Sequence, residues 1–314
     1  MLKIAVTICT YNRYDLLPKA IDSLIAQAFP QDEYEILVID NTPNAEVGEG
    51  KKFKNKYANI KNLNYVFEKT AGLSNARNVA MSMTTAQYIS YIDDDAIALE
   101  NWLSNVVAAF ESYENVGVVG GKIAPMWEIE RPLWLSDQLT GHVSVVDWGG
   151  QLRIATDEEW FAGANISFRR DLLLKSGGFS TSLGRVGSGN SLMSNEEVEV
   201  LKYIKKSGFN AVYAPGACVD HLVEKKRLRR DWFRRRVAWQ ATSDFIMDAE
   251  VTEARIPECL KNVKAYLSSL PPLQRNLQGF YKATNVPGEF IWQLGAIYDF
   301  TVLTLAGFEG LEDE

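Results

Sequence analysis

Tyr88-Ile-Ser-Tyr-Ile-Asp-Asp-Asp, residues 88–95, sets a short apolar β-type run directly against three consecutive aspartates. Adjacent carboxylates raise one another's pKa, so such a cluster needs a cation or buried donors to be tolerated. Two readings compete. One is an acidic turn that caps the helical pattern opening at Glu100-Asn101-Trp102. The other is a site for a divalent metal carrying a phosphate.

The stretches to either side decide how the aspartates sit in the fold. Leu2 to Ile8 is a continuous apolar run suited to a buried parallel strand. The polar loop Thr10-Tyr-Asn-Arg follows, then a helix with Leu16, Leu17, Ala20, Ile21, Leu24 and Ile25 on one face. Tyr34 to Ile39 reads as a second strand ending at Asp40-Asn41, and Tyr65 to Phe67 as a third. Gly72-Leu-Ser-Asn-Ala-Arg-Asn opens a helix through Met83, and Tyr88 to Ile92 is the fourth strand. Strand and helix therefore alternate as in a doubly wound α/β sheet. Such sheets bind ligands beyond the carboxyl ends of their strands. Thr10, Asp40 and Asp93 to Asp95 each fall just past a strand, so three polar loops converge on one sheet edge.

After Gly120 the periodicity weakens. Trp127, Trp134, Trp148 and Trp160 punctuate the segment, and Trp160-Phe-Ala-Gly-Ala-Asn-Ile-Ser-Phe reads as a strand interrupted by small residues. Gly184 to Gly189 reads as a mobile loop leading to a helix capped by Ser194 or Asn195, with acids in its first turn. Ala211 to Ala214 and Cys218 to His221 form another edge strand. Beyond residue 223 the pattern is helical, broken at Pro271-Pro272. The apolar segment from Phe290 to Phe308 contains Gln293 and Asp299 and is only just long enough to span a bilayer, so a docked helix or an interfacial one is expected.

Bulk properties narrow the function classes. The 314 residues carry a net charge of −7, which disfavours wholesale nucleic-acid binding. Three dispersed cysteines, Cys9, Cys218 and Cys259, make neither a disulfide framework nor a zinc spacing and suit a reducing cytosol. The N-terminal run is too short for an export signal, so a cytoplasmic protein is expected, with peripheral contact at the inner face of a membrane as a variant.

Taken in order, Thr10-Tyr-Asn-Arg, Val38-Ile-Asp-Asn, Gly72-Leu-Ser-Asn-Ala-Arg-Asn, Tyr91-Ile-Asp-Asp-Asp, Gly177-Gly-Phe and Asn195-Glu-Glu-Val-Glu resemble the family 2 glycosyltransferases of the GT-A fold, over roughly residues 3 to 240. Each motif is weak alone; the ordered set is specific. The resemblance implies an α/β fold with a Rossmann-like nucleotide-binding half and a mixed central sheet. On this reading residues 1–222 form the catalytic domain (1–125 nucleotide-binding, 126–222 acceptor-binding) and 223–314 a C-terminal helical extension. The implied reaction is an inverting, metal-dependent transfer of a sugar from a nucleotide diphosphate, UDP by default, to an acceptor hydroxyl in polysaccharide, glycolipid or glycan synthesis.

By the same resemblance Thr10, Tyr11, Asn12, Arg13, Asp40, Arg77, Asp93 and Asp94 contact the nucleotide, with Asp40 accepting from a base N–H. Asp95 binds Mg²⁺ or Mn²⁺, and His221 is a possible further ligand of metal or diphosphate. Glu197 stands where the family usually has its catalytic aspartate and is taken as the base, with Glu196 as second choice. That is a departure, because the longer side chain has to fold back or shift its helix. Trp160, Gly163, Ala164 and Asn165 match the donor-sugar and acceptor side. Read without the resemblance, Asp40 is a turn cap, Arg77 a solvated helix residue and the glutamate pair a helix N-terminal charge. His142 reads as structural.

The basic run Lys225-Lys-Arg-Leu-Arg-Arg-Asp-Trp-Phe-Arg-Arg-Arg, residues 225–236, admits a diphosphate or lipid-phosphate contact, a solvated face, an anionic membrane contact or, last, nucleic acid. The expected partners are thus a nucleotide sugar, a carbohydrate or lipid-linked acceptor, and a membrane surface touched through 225–236 or 290–308. A phosphatase or nucleotidyltransferase lacks its supporting motifs here. A non-catalytic nucleotide-sugar scaffold is the remaining alternative.

Overall fold

A computed structural model describes residues 2–187, 191–284 and 286–307; part of the loop expected at Gly184 to Gly189, and Phe308 with the residues after it, lie outside that range. The chain divides into two compact units, one of Met1–Met126, Ser144–Asn190 and Glu196–Leu222, the other of Trp127–Val143, Ser191–Asn195 and Val223–Glu314. Two short segments before residue 223 thus belong with the C-terminal helices.

The first unit is built on a nine-stranded mixed sheet. Its strands are β1 (Ile4–Thr10), β2 (Tyr34–Asp40), β3 (Leu63–Phe67), β4 (Tyr88–Asp93), β5 (Ala96–Ala98), β6 (Val116–Trp127), β7 (Arg153–Ile154), β8 (Asn165–Arg169) and β9 (Asn210–Val223). The order is β3-β2-β1-β4-β8-β6-β9-β5, with β7 paired to β9. β1 to β4 pair in parallel, while β8 runs antiparallel to both β4 and β6. Helices α1 (Leu17–Ile25), α2 (Glu49–Lys56), α3 (Leu73–Met83), α4 (Trp102–Glu111), α5 (Asp137–Thr140), α6 (Arg170–Lys175) and α7 (Glu196–Lys206) follow in sequence, α5 belonging to the second unit.

The parallel strands are almost wholly buried, as their apolar runs require. α1 starts with a proline in its first turn, where the missing N–H is harmless, and buries Leu17, Ala20, Ile21 and Leu24 along one stripe. Each such leucine contributes about 2 kcal/mol. From β1 the chain winds outward through β2 to β3, then crosses back to place β4 on the other flank of β1. The order therefore reverses between β1 and β4, the position where open α/β sheets form a ligand crevice. Register aligns the crevice rim: Thr10 pairs with Asp40, and Cys9 with Asp93. On the far side β5 pairs antiparallel with β9, setting Ala96 opposite His221.

Three local expectations change. The strand read from Trp160 starts only at Asn165, because the Gly163 N–H donates to a side chain, Glu197 Oε1 at 3.0 Å, instead of to a ladder. The two pieces read as an edge strand are one 14-residue strand, β9, with β5 outside it. Ser194 and Asn195, read as helix caps, turn their side chains to Gln240, Ser243 and Asp244.

The second unit is helical: α8 (Arg230–Met247), α9 (Ala249–Glu253), α10 (Ile256–Ser268) and α11 (Pro287–Leu305), with 3₁₀ turns at Pro272–Gln274 and Leu277–Tyr281. The Pro271-Pro272 pair falls after α10 and opens the first of these turns. α11 packs on α8 and α10, burying Phe290, Leu294, Ala296, Val302 and Leu303. The polar residues that interrupt its apolar run are bonded inside the unit: Gln293 accepts from Arg234 Nε (3.0 Å) and donates to Tyr266 Oη (3.1 Å), and Asp299 accepts from Asn262 (2.9 Å). Among the described residues no helix is long and apolar enough to cross a membrane.

Candidate active site

The ends of β1 and β4 carry the acidic cluster. Asp94 is buried; its Oδ2 accepts from Thr10 Oγ1 at 2.7 Å, tying the two strand ends together, and its Oδ1 lies 3.3 Å from Arg13. Burial, and then the neighbouring Asp95, push the Asp94 carboxyl well above its ordinary range, against the pull of Arg13 and Thr10. Arg13 also reaches Asp95 Oδ2 at 2.9 Å. Across from them His221, brought in by β9, sets Nε2 3.3 Å from Asp95 Oδ1 and 4.0 Å from Asp93 Oδ2. One ligand atom each from Asp93, Asp95 and His221 lies within 4.8 Å of the others. His221 is buried, and its Nδ1 has no hydrogen-bond partner. Two carboxylates and one imidazole gathered this closely, Asp95 and His221 buried and Asp93 part-exposed, form a donor set that fits a divalent cation of the Mn²⁺ or Mg²⁺ kind.

Asp40, expected to accept from a base N–H, stands at the end of β2. It is fully buried, and its carboxylate accepts from Tyr14 Oη (2.9 Å), Tyr65 Oη (2.8 Å) and the Thr42 N–H (3.1 Å). Three of about four acceptor positions are thereby filled. Thr42 in turn accepts from the Asn12 N–H at 2.7 Å, and Asn12 adopts a left-handed φ of 54°. Asn41 accepts from the Gly72 N–H and donates to the Glu68 and Thr70 carbonyls, fastening the loop that leads into α3. Tyr14, Tyr65 and Asn41 were not singled out from the sequence. Only Asn41 carried a signal, as the last residue of Val38-Ile-Asp-Asn.

Arg77, on α3, is the centre of a second charge cluster. The guanidinium is buried between the rings of Tyr91 and Phe179, 5.7 and 5.5 Å from their centroids. Its Nη1 pairs with Glu196 Oε1 at 2.7 Å and lies 4.0 Å from Glu197 Oε2, while Nη2 is 3.9 Å from Asp93. Burial opposes the charge on Arg77, but Glu196, Glu197 and Asp93 outweigh it and raise the pKa above its ordinary value. Burial, then Glu197, raises the Glu196 carboxyl, with Arg77 opposing. Glu197 is less deeply buried; its Oε1 takes the Gly163 N–H, and its Oε2 has no hydrogen-bond partner. A Cβ at residue 163 would lie 2.0 Å from Arg77 Nη2, so only glycine lets the backbone reach both groups.

The remaining expected site residues divide. Tyr11 is half-buried. Trp160 packs edge-on against Trp148, whose indole N–H donates to its carbonyl. Ala164 and Asn165 are buried, and the Asn165 amide is used in the core, accepting from Trp102 Nε1 and donating to the Lys122 and Ala217 carbonyls. Within residues 225–236, Arg227 and Arg234 are buried, whereas Lys225, Lys226 and Arg229 are exposed. His142 packs edge-on against Phe233 in the second unit.

A parallel nucleotide-binding half continued by antiparallel strands, with an acidic cluster at the crevice, defines a GT-A-type fold bearing C-terminal helices. Residues 5–172 match the model of glycosyl transferase family 2, and the chain belongs to that family: it is a glycosyltransferase. It is similar to the glucosyl-dolichyl phosphate glucuronosyltransferase of Haloferax volcanii, 26% identical over 272 residues, covering 86% of this chain and 83% of that protein. A shorter match, 32% identical over 98 residues, joins 30% of this chain to 15% of the poly(ribitol-phosphate) beta-glucosyltransferase of Bacillus spizizenii. Among solved structures, the mannosyltransferase PcManGT of Pyrobaculum calidifontis, in complex with GDP-Man and Mn²⁺, shares the fold with a TM-score of 0.57 at 18% identity, covering 98% of this chain and 76% of that one.

Proposed function

We propose that the protein transfers a sugar with inversion from a nucleoside diphosphate sugar to the hydroxyl of a lipid-linked glycan acceptor, with Glu197 as the base. The observation that carries this reading is the asymmetry of the two glutamates. Glu196 is bound to the Arg77 cation at 2.7 Å and out of solvent reach, while Glu197 is oriented through one oxygen by the neutral Gly163 N–H and is the more exposed of the two; each keeps its other oxygen unbonded. A base needs that combination of fixed orientation and a free lone pair within reach of the acceptor.

In the reaction, Glu197 Oε2 takes the acceptor hydroxyl proton as that oxygen bonds to the anomeric carbon. The bond from that carbon to the diphosphate oxygen breaks on the opposite face. Asp93, Asp95 and His221 are the residues that would hold Mn²⁺ or Mg²⁺, the imidazole favouring Mn²⁺. When bound, such a cation neutralises charge gathering on the departing diphosphate. In this reading Tyr11, Asn12, Arg13 and Asp93 touch the nucleotide. Thr10, Asp40, Asp94, Arg77 and Asn165 hold the shape around it, and Trp160, Gly163 and Ala164 flank the sugar side. The lipid-linked acceptor is suggested by the dolichyl phosphate relative, which spans most of this chain.

The test is a thermal-shift panel of UDP-, GDP- and dTDP-sugars with and without Mn²⁺, followed by hydrolysis and transfer assays with the donor that stabilises most. One donor should stabilise the protein in a Mn²⁺-dependent manner that Asp95→Ala abolishes. Full turnover in both Asp95→Ala and Glu197→Gln would overturn the assignment.

A further inference from the structure

The helical unit exposes an unusual edge. Leu273 is 91% exposed, Leu277 62%, Tyr281 70% and Val286 53%, all within or just after the two 3₁₀ turns, and Trp292 on α11 is 45% exposed. They follow one another along 20 residues of chain, 273–292. Tyr266 stacks on Phe280, its hydroxyl donates to the Gly279 carbonyl, and its ring meets Trp292 edge-on at 5.4 Å. The turn at 277–281 and Trp292 are thereby joined through one buried tyrosine. Charge follows the same edge. Residues 259–288 contain Lys261, Lys264, Arg275 and Lys282 but no aspartate or glutamate, although the chain has 40 acidic residues among 314. At that average about four acids would fall in thirty residues. All four basic residues are exposed.

We propose that this edge docks the protein on an anionic lipid bilayer, with Leu273, Leu277, Tyr281 and Trp292 entering the interface and Lys261, Lys264, Arg275 and Lys282 facing lipid headgroups. Apolar and aromatic tips set among cations that outnumber acids, with Glu289 the single acid between residues 259 and 292, are what an anionic interface selects. A groove for a peptide would shelter its apolar lining, whereas Leu273 stands almost fully in water. The edge meets the basic run at 225–236 at buried Arg234, which lies against Tyr281 and donates to the Lys282 carbonyl, but the exposed cations of the two segments are different residues, and from α11, which packs on α8 and α10, the edge takes Trp292. The inference goes beyond the reading of the active site and does not depend on it.

The experiment is co-sedimentation of the full chain with phosphatidylcholine vesicles and with vesicles containing about 30% phosphatidylglycerol by mole, a level giving a strongly negative surface, without any sugar donor. The protein should bind the anionic vesicles at least tenfold more than the neutral ones. Leu273→Ser/Leu277→Ser/Tyr281→Ser should lower that binding at least tenfold with an unchanged melting temperature, and Lys261→Gln/Lys264→Gln/Lys282→Gln should remove the preference for anionic lipid. Leu133→Ser, at another exposed leucine of the same unit, should bind as the parent does. Equal binding to both vesicles, or full binding by the triple serine variant, overturns the proposal. So does a loss confined to Lys225→Gln/Lys226→Gln/Arg229→Gln, which moves the contact to the basic run. A dimer in sedimentation velocity that the triple serine variant dissolves also overturns it, because the edge would then join two copies. Donor hydrolysis in detergent-free solution is measured alongside, so that failure of vesicle binding and failure of the glycosyltransferase mechanism are read separately.

Discussion

Arg77 and Arg234 are both buried guanidinium groups lying against two aromatic rings, Tyr91 and Phe179 in one unit and Tyr281 and Phe290 in the other. Their polar partners separate them. Arg77 faces Glu196, Glu197 and Asp93, and each of the two glutamates retains an oxygen without a hydrogen-bond partner. Arg234 meets the neutral Gln293 amide and the Lys282 carbonyl, with exposed Asp231 beside it at the surface. Burial lowers the pKa of Arg234, whereas the carboxylates overcome burial at Arg77. The same group on the same kind of aromatic seat thus meets a neutral amide in one unit and gathers three carboxylates in the other. Unfilled acceptor capacity, more than burial or charge, marks the place where chemistry is expected.

The sharpest break of this comparison lies at the acceptor side. Glu197→Gln keeps the shape and the Gly163 hydrogen bond but removes the base, so transfer should fall about 10²- to 10⁴-fold while donor-induced thermal stabilisation persists. Loss of donor binding together with turnover would instead assign Glu197 to binding.

Next in size, Arg77→Met strands the Glu196 carboxylate and should cost about 3–5 kcal/mol in urea denaturation, whereas Arg77→Met/Glu196→Leu should regain most of that stability. Transfer should stay depressed in the double variant, since Glu197 would have lost its neighbouring cation. Recovery of activity along with stability would reduce Arg77 to a packing residue like its counterpart.

Arg234→Met leaves Gln293 Oε1 without its donor and should cost about 1–3 kcal/mol, with kcat and KM for the donor unchanged. The smallest effect is in the same unit. Burial, with Arg236 nearby, pushes the His142 imidazole down to about 4 from its ordinary 6.5. The unfolded chain therefore binds more protons between those values, so this contribution is complete above pH 6.5 and is lost as pH falls. Stability should drop on the order of 1 kcal/mol from pH 7.5 to 5.5, and His142→Phe should flatten that slope.

The sequence carries the first half of the fold plainly because buried parallel strands are written as continuous apolar runs: β1, β2 and β4 are found within one or two residues of where Leu2–Ile8, Tyr34–Ile39 and Tyr88–Ile92 place them. β5 was not legible, because three residues, Ala96-Ile-Ala, are too short an apolar run to read as a strand directly behind the aspartates. β6 was obscured by Gly120-Gly121, which permit the close approach of Phe161 and Asn165. In the candidate site, the grouping of polar loops at strand ends followed from strand order alone. Which carboxylate faces which cation did not, because Arg77 and Glu196 are 119 positions apart and only tertiary packing turns the arginine inward. Asp40 could likewise be placed at its strand end, but not its enclosure by Tyr14 and Tyr65, since a tyrosine in sequence does not announce where its hydroxyl goes.

The pairing of Ala96 with His221 has a consequence for how this chain can change its length. Side chains alternate across a strand, so one residue inserted or deleted between Val212 and Asp220 would turn the imidazole to the opposite face and withdraw it from Asp93 and Asp95. Length changes within β9 are therefore compatible with this donor set only in steps of two or with a compensating bulge, whereas the loop at Asp157 and Glu158, exposed and outside any strand, has no such parity to keep.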